Sequence, residues 1–232
     1  MQPSPFGSPA EWPDEDLIGY SRGFDAQLVL AAYQAGVFPM PIGRGTMGWF
    51  SPVRRGILPL DGLRVTRSLR KTMKRYEIRV DTAFDAVLRR CADPSREGAW
   101  INRDIRNVYT ELHRAGVVHS VEAWTADGHL AGGLYGVGLG GLFAGESMFH
   151  DPEIGRDASK AALVGLVRLL RSAGPEDRLL DAQWQTEHLA TLGVIEIDRV
   201  DYLRRLPAAL RLDPPEWRAG PLRVPGAEPD PG

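Results

Sequence analysis

The sequence predicts an α+β protein, with helices set around a mainly antiparallel central sheet. Two apolar runs, 120–124 and 130–135, flank Asp127-Gly128. That dipeptide supplies the positive φ angles of a tight hairpin. Elsewhere apolar residues recur at a helical period, most clearly over 159–172. Capping residues head such stretches and glycines end them.

Residues 1–16 read as a flexible arm and 17–62 as a small N-terminal domain. Within it Asp25 is a good N-cap, and Phe24 can staple onto Val29 one turn in. Gly36 suits the left-handed position beyond that helix, and Pro39 stops any continuation. Residues 37–59, rich in Gly, Pro and aromatics, read as packed loop with a short strand at 57–60.

The main domain is expected over 63–212. Thr66 caps a helix to about residue 75, with Leu69, Met73 and Tyr76 on one side and Arg67, Arg70, Lys71 and Lys74 largely elsewhere. A strand at 77–81 and helices near 83–91 and 103–115 follow, the last ended by Gly116. The hairpin continues into a third strand near 141–145. Beyond the 159–172 helix come a strand at 178–184, a short helix at 186–192 ended by Gly193 and a strand at 194–197. Asp201 is expected to cap the final helix, and the proline-dense tail 213–232 reads as flexible.

Composition narrows the chemistry. At 232 residues, 43% hydrophobic and 25% charged, the chain can bury a substantial core. One cysteine, Cys91, excludes an internal disulfide and a cysteine-cluster zinc site. The five histidines never stand four apart, so no metal is expected. No apolar run reaches the roughly 18 residues of a membrane span, and the first thirty residues do not read as a signal peptide. A cytoplasmic location without a membrane partner is the expectation. The net charge of −2 hides an asymmetry: residues 54–106 hold fourteen Lys and Arg against seven Asp and Glu. Such a stretch can form an ordinary solvated face or a surface for polyanions.

Gly136-Val137-Gly138-Leu139-Gly140-Gly141 matches the dinucleotide pattern G-x-G-x-x-G. That pattern works only where a helix N-terminus follows to hold pyrophosphate, and the residues after Gly141 read as strand. A glycine-rich hairpin bend is the better reading. Glu146, in Gly145-Glu146-Ser147-Met148-Phe149, is a carboxylate in apolar surroundings. Burying it costs several kcal/mol unless it is paired, either within the protein or by a substrate cation. Ser147 has no nearby base and no nucleophile-elbow pattern. Asp181 and Gln183 stand two apart on a strand, so both point to one face, with Leu180, Ala182 and Trp184 on the other. Trp49 and Trp100 are either core residues or platforms for stacking bases.

Taken in order over about residues 25–210, several stretches resemble the leucyl/phenylalanyl-tRNA–protein transferase family. They are Ala32-Tyr33-Gln34-Ala35-Gly36-Val37-Phe38-Pro39, Trp49-Phe50-Ser51-Pro52, Gly98-Ala99-Trp100-Ile101, His119-Ser120-Val121-Glu122-Ala123-Trp124, Gly132-Gly133-Leu134-Tyr135-Gly136-Val137, Gly145-Glu146-Ser147-Met148-Phe149, Ala158-Ser159-Lys160, Asp181-Ala182-Gln183 and His188-Leu189-Ala190-Thr191-Leu192-Gly193. The chain departs from the family at 16–25, which lacks a Gly-Gly-Asp run, in the longer, more charged 150–157 loop, and at Leu134, where the family can carry Met.

The resemblance implies a small N-terminal domain joined to a catalytic domain of the N-acetyltransferase superfold (GNAT-like). It implies transfer of Leu or Phe from aminoacyl-tRNA to proteins with N-terminal Arg or Lys, marking them for N-end-rule degradation, with no free cofactor. Asp181, Gln183 and Glu146 are then the catalytic candidates. Gln183 would orient the attacking amine, Asp181 would polarise that contact or take its proton, and Glu146 would hold the acceptor's cationic end or the amine itself; the tRNA ribose hydroxyl is the alternative proton carrier. Leu134, Phe143, Met148, Leu163 and Leu180 would form the aminoacyl pocket, which could also admit Met. Trp49 and Trp100 would stack the terminal adenosine. Arg54, Arg55, Arg67, Arg70, Lys71, Lys74 and Arg75 would meet tRNA phosphates. Two rival readings are an acyl-CoA-dependent N-acetyltransferase and a non-catalytic tRNA-binding module. The first needs a glycine turn entering a helix, and neither explains all the motifs.

Overall fold

The computed structural model describes residues 4–96, 100–174 and 176–222. The N-terminal part is a three-stranded antiparallel sheet of β1 (Leu17–Ser21), β2 (Phe38–Gly43) and β3 (Thr46–Phe50), in the order β1-β3-β2. Two of these strands replace much of the loop expected over 37–59. Gly45, at φ 70°, turns the chain between them. Pro39 and Pro41 lie on β2, an edge strand where a missing N–H is tolerated. Helix α1 (Ala26–Gln34) joins β1 to β2, capped as expected by Asp25, which accepts from the Leu28 N–H at 2.8 Å.

The larger sheet runs β10-β4-β9-β8-β7-β6-β5-β11. Its strands are β4 (Arg54–Ile57), β5 (Tyr76–Val80), β6 (Val118–Thr125), β7 (Leu130–Leu139), β8 (Leu142–His150), β9 (Leu179–Gln183), β10 (Ile195–Asp198) and β11 (Gly220–Pro221). Every neighbouring pair is antiparallel except β8 with β9, which is parallel. Strand β4 begins earlier than the expected 57–60. It falls in the stretch read as the N-terminal domain, yet it lies between β10 and β9 of the larger sheet.

Helices α2 (Arg67–Met73), α3 (Phe84–Cys91), α4 (Arg103–Arg114), α5 (Ala158–Ser172), α6 (Glu187–Leu192) and α7 (Arg199–Arg211) complete the chain. Strand alternation assigns the two faces. Val121, Leu134, Phe143 and Leu180 pack with α5 residues, whereas Val118, Tyr135, Val137 and Ala144 pack with residues of α1, α3 and α4. The Gly136–Gly141 stretch is the end of β7 and its turn into β8, with Gly140 at φ 57°. Helix α7 starts behind Asp198 rather than Asp201.

Both expected flexible ends are anchored where the structure describes them. Phe6 packs its ring 5.1 Å from Trp49, and Asp16 accepts from the Val53 N–H and from Trp184 Nε1, both at 2.8 Å. In the tail, β11 pairs with β5 and Trp217 stacks on His119. Composition alone misread these segments because a few large aromatics outweigh the surrounding prolines and acids. Residues 223–232 of the expected tail lie outside the described residues.

Candidate active site

A pocket of about 380 Å³ opens between β7, β8, β9 and α5, with α6 beside it. Its wall includes all five expected pocket residues, Leu134, Phe143, Met148, Leu163 and Leu180, together with Glu146, Asp181 and Gln183. A β-bulge makes this wall. Tyr135 pairs with Ser147 and Gly136 with Gly145, so Glu146 is the extra residue on β8. A bulge shifts strand parity and re-aims the bulged side chain. Phe143 and Met148, five apart, therefore both reach the α5 side, while Glu146 meets Tyr33 and Tyr109 on the other.

Glu146 is half-buried and forms no ion pair among the described residues. Its Oε1 accepts from Tyr33 OH at 2.5 Å and its Oε2 from Tyr109 OH at 3.0 Å, and the two hydroxyls lie 2.8 Å apart. Desolvation pushes its carboxyl up to about 7, against the lowering effect of the two tyrosine hydrogen bonds. Burial likewise raises both tyrosines well above the usual phenol range, with Glu146 adding to the effect. With the carboxylate ionised, two hydroxyl protons serve three short contacts. Protonated, the cluster closes a ring: Tyr33 donates to Oε1, Oε2–H donates to Tyr109, and Tyr109 donates to Tyr33. The buried Tyr135 OH has no partner among the described residues. Gln183 Nε2 donates to Glu146 Oε1 at 3.3 Å, which leaves the amide oxygen of Gln183 as its free acceptor.

Asp181 is fully buried and saturated. Arg55 Nε donates to Oδ1 at 2.8 Å and Arg55 Nη2 to Oδ2 at 2.5 Å. Tyr202 OH donates to Oδ2 at 2.9 Å, and the Gln183 N–H to Oδ1 at 2.9 Å. Burial works against the Arg55 charge, but Asp181 more than offsets it and the guanidinium pKa is raised. The guanidinium also lies over the rings of Tyr202 and Phe38, at 4.4 and 4.8 Å. Arg55, expected as a phosphate contact, is thus sealed inside: at 1% exposure no nucleic acid reaches it. Asp181, expected to take a proton, has its acceptor positions filled by four donors.

Gln183 holds a left-handed φ of 57°, strained for a side chain with a Cβ and fixed by the bond from its N–H to Asp181. This turn breaks the expected alternation. Leu180 and Ala182 stay on the α5 side, while Trp184 crosses to pack edge-on against Phe38 and Phe50.

The tryptophans lie away from the pocket wall. Trp49 is 3% exposed, covered by Phe6 and Phe24, and donates to Ser21 Oγ at 2.9 Å. It has no open face for a base. Trp100 is half-buried against the same core. Residues 97–99, which include Gly98 and Ala99 of its motif, lie outside the described residues. Arg54 is exposed and paired with Asp198 at 2.5 Å and Glu196 at 3.8 Å. Arg67, Arg70, Lys71, Lys74 and Arg75 are exposed and in no ion pair among the described residues. Arg70 and Lys74 edge a separate cleft between α2 and α5.

Sequence reasoning missed Tyr33, Tyr109, Tyr202 and Arg96. Arg96 Nη2 donates to the Met148 carbonyl at 2.6 Å and lines the pocket. Tyr33 and Tyr109 read locally as apolar positions of two helices; only the fold brings them to a strand far along the chain. Among the described residues no group of three His, Cys, Asp or Glu could hold a metal, and no helix is long and apolar enough to cross a membrane.

A family model described as leucyl/phenylalanyl-tRNA protein transferase matches residues 57–207, and one for the N-terminal domain of the same proteins matches 22–53. The chain belongs to this family. It is an aminoacyltransferase. The gap between the two matches, residues 54–56, falls within β4. Among curated relatives, the leucyl/phenylalanyl-tRNA–protein transferase of Caulobacter vibrioides strain NA1000 is 50% identical over 81% of this chain and 86% of its own. Those of Rubrobacter xylanophilus and Maricaulis maris are 47% and 46% identical, over 81% and 89% of this chain and 95% of each relative. A solved structure titled L-PGS from Bacillus licheniformis aligns at a TM-score of 0.39 and 11% identity, over 70% of this chain and 54% of that one. That likeness is too slight to carry an argument.

Proposed function

We propose that this chain transfers Leu or Phe, with Met a third fitting donor, from aminoacyl-tRNA to proteins bearing an N-terminal Arg or Lys. In this reading the product is marked for N-end-rule degradation in the cytoplasm, and the larger sheet is a GNAT-like catalytic domain. One observation carries the proposal: Glu146, a carboxylate with no cationic partner among the described residues, sits beside Gln183 on the wall of an apolar pocket. An apolar pocket suits a Leu or Phe side chain, and an unpaired carboxylate in low dielectric suits an ammonium or guanidinium.

The aminoacyl ester is already activated, so the reaction is attack of an α-amine on its carbonyl. The new C–N bond forms, the bond to the ribose oxygen breaks, and the proton lost by nitrogen ends on that oxygen. An α-amine has a pKa of about 7.7–8.0, close to the value near 7 of Glu146. An ammonium held there can lose its proton at little cost. The free oxygen of Gln183 then accepts the remaining N–H and aims the lone pair. Asp181 acts through Gln183, by holding its backbone in the left-handed turn. Alignment of this kind can supply roughly 7–11 kcal/mol of the barrier. The exposed cations of α2 supply the phosphate contacts.

Incubating the chain with Leu-tRNA and a peptide starting with Arg tests the reading, with mass spectrometry of the peptide. The expected product is the peptide lengthened by one Leu, and an unmodified peptide overturns the proposal. In single turnover, Glu146→Gln and Gln183→Ala should both fall far below the unaltered chain. Unchanged rates would remove both from the chemistry.

A further inference from the structure

Gly136 and Gly138, which lie on β7 rather than ahead of a helix, make a bed for two aromatic rings. They share a face of β7, being two apart. A Cβ on Gly136 would lie 2.3 Å from the Ala144 carbonyl oxygen and 2.5 Å from Phe143 Cε1. A Cβ on Gly138 would lie 3.1 Å from His119 Cδ2 and 3.4 Å from Trp217. The missing side chains let Phe143 and then Trp217 lie close on the strand, with ring centroids 5.6 Å apart. Trp217 stacks on His119 at 4.2 Å and 7° between planes, and His119 Nδ1 is tied to Asp81 at 2.7 Å.

Trp217 belongs to a segment pinned at both ends. Before it, Arg178 Nη2 donates to the Asp213 carbonyl at 2.9 Å. After it, Gly220 and Pro221 pair with Val80 and Arg79, and the Leu222 N–H donates to the Ile78 carbonyl at 2.8 Å. Phe143, fully buried, has the pocket on one side and Trp217 on another.

We propose that the 213–222 segment is a strap whose Trp217 fixes the depth of the aminoacyl pocket, by holding Phe143 forward on the glycine bed. Trp217 is a positioning residue: it selects the donor side chain without touching it. The inference rests on the reading of this pocket as the donor site. Space behind Phe143 would let its ring withdraw, deepening the pocket and favouring Phe over Leu. A change of one methylene in such a pocket is worth on the order of 10-fold in selectivity.

The test compares the intact chain with Trp217→Ala, Trp217→Phe and chains ended after Leu212 or after Leu222. Two ratios are read: kcat/KM for Phe-tRNA over Leu-tRNA, and affinity for non-transferable amide analogues of phenylalanyl- over leucyl-adenosine. Trp217→Ala and the Leu212 truncation should raise both ratios on the order of 10-fold. Trp217→Phe, which keeps a ring on the bed and guards against misfolding, should raise them less. The chain ended after Leu222 should match the intact one. A strap that only stabilises the fold would lower thermal stability and both donors equally. Unchanged ratios in Trp217→Ala and Trp217→Phe overturn the proposal. Shifted affinity ratios without transfer by the intact chain would overturn the function and leave the strap standing.

Discussion

Asp181 and Glu146 are carboxylates on adjacent strands of one pocket, and their surroundings could hardly differ more. Asp181 meets a buried guanidinium on both oxygens, a tyrosine and a backbone N–H. Glu146 meets two tyrosines and an amide, and its carboxyl is pushed up to about 7. A carboxylate whose acceptor sites are all filled can hold a shape but has nothing left for a substrate. One that fold and solvent leave short of a cation is stable when protonated and waits for positive charge when ionised. On the proposed function the first belongs to the frame and the second to the chemistry, although both residue types invite the same reading in sequence.

The largest effect that could break this contrast is Asp181→Ala. It strands Arg55 in the core, and loss of one partner of a buried pair costs about 3–5 kcal/mol. Urea unfolding should show a loss of that order. Full stability with activity alone destroyed would instead move Asp181 into the chemistry.

Glu146→Gln should do the reverse. The folded pKa of Glu146 lies above its ordinary 4.5, so its contribution to stability is complete below about pH 4.5 and is lost as pH rises through 7. The cost of ionisation is at most about 3 kcal/mol, less whatever screening the pocket opening allows. Melting temperature measured from pH 5 to pH 8 should therefore fall more in the unaltered chain than in Glu146→Gln. Transfer should be lost with Glu146→Gln, and in the unaltered chain it should gain a limb rising near pH 7. Parallel melting curves would show that Glu146 does not ionise in this range.

Tyr109→Phe sharpens the contrast at smaller scale. It removes a donor to the carboxylate, worth about 1.5–3 kcal/mol when the acceptor is charged. The protonated carboxyl also loses Tyr109 as its acceptor, so the rising limb should move up by only the difference, less than about one pH unit. A limb left in place would assign it to another group. The smallest effect on chemistry is expected from neutralising Arg70, Lys71 and Lys74 together. Saturated single-turnover rates should hold while the slope of tRNA affinity against salt drops by about two. An unchanged slope would take α2 out of the interface.

Much of this was legible before folding was considered. Asp25 and Thr66 cap their helices because a short oxygen-bearing side chain next to an amphipathic run has few better uses. Asp127-Gly128 turns β6 into β7, with Gly128 at φ 84°. The five pocket residues and the three polar candidates lie on one cavity wall. Trp49 and Arg55 were misread because their neighbours decide their use. One is covered by the rings of Phe6 and Phe24, the other by Asp181 and Tyr202.

By itself the sequence determined the periodicities, caps and turns, and the ordered motifs that mark the family, since all of these depend on residues close along the chain. Tertiary structure alone decided which carboxylate would be spent on a guanidinium and which would be left to tyrosines. It also placed Trp217 behind the pocket. Those outcomes depend on partners brought from distant segments and on how much water each contact excludes, and neither quantity is written in local sequence.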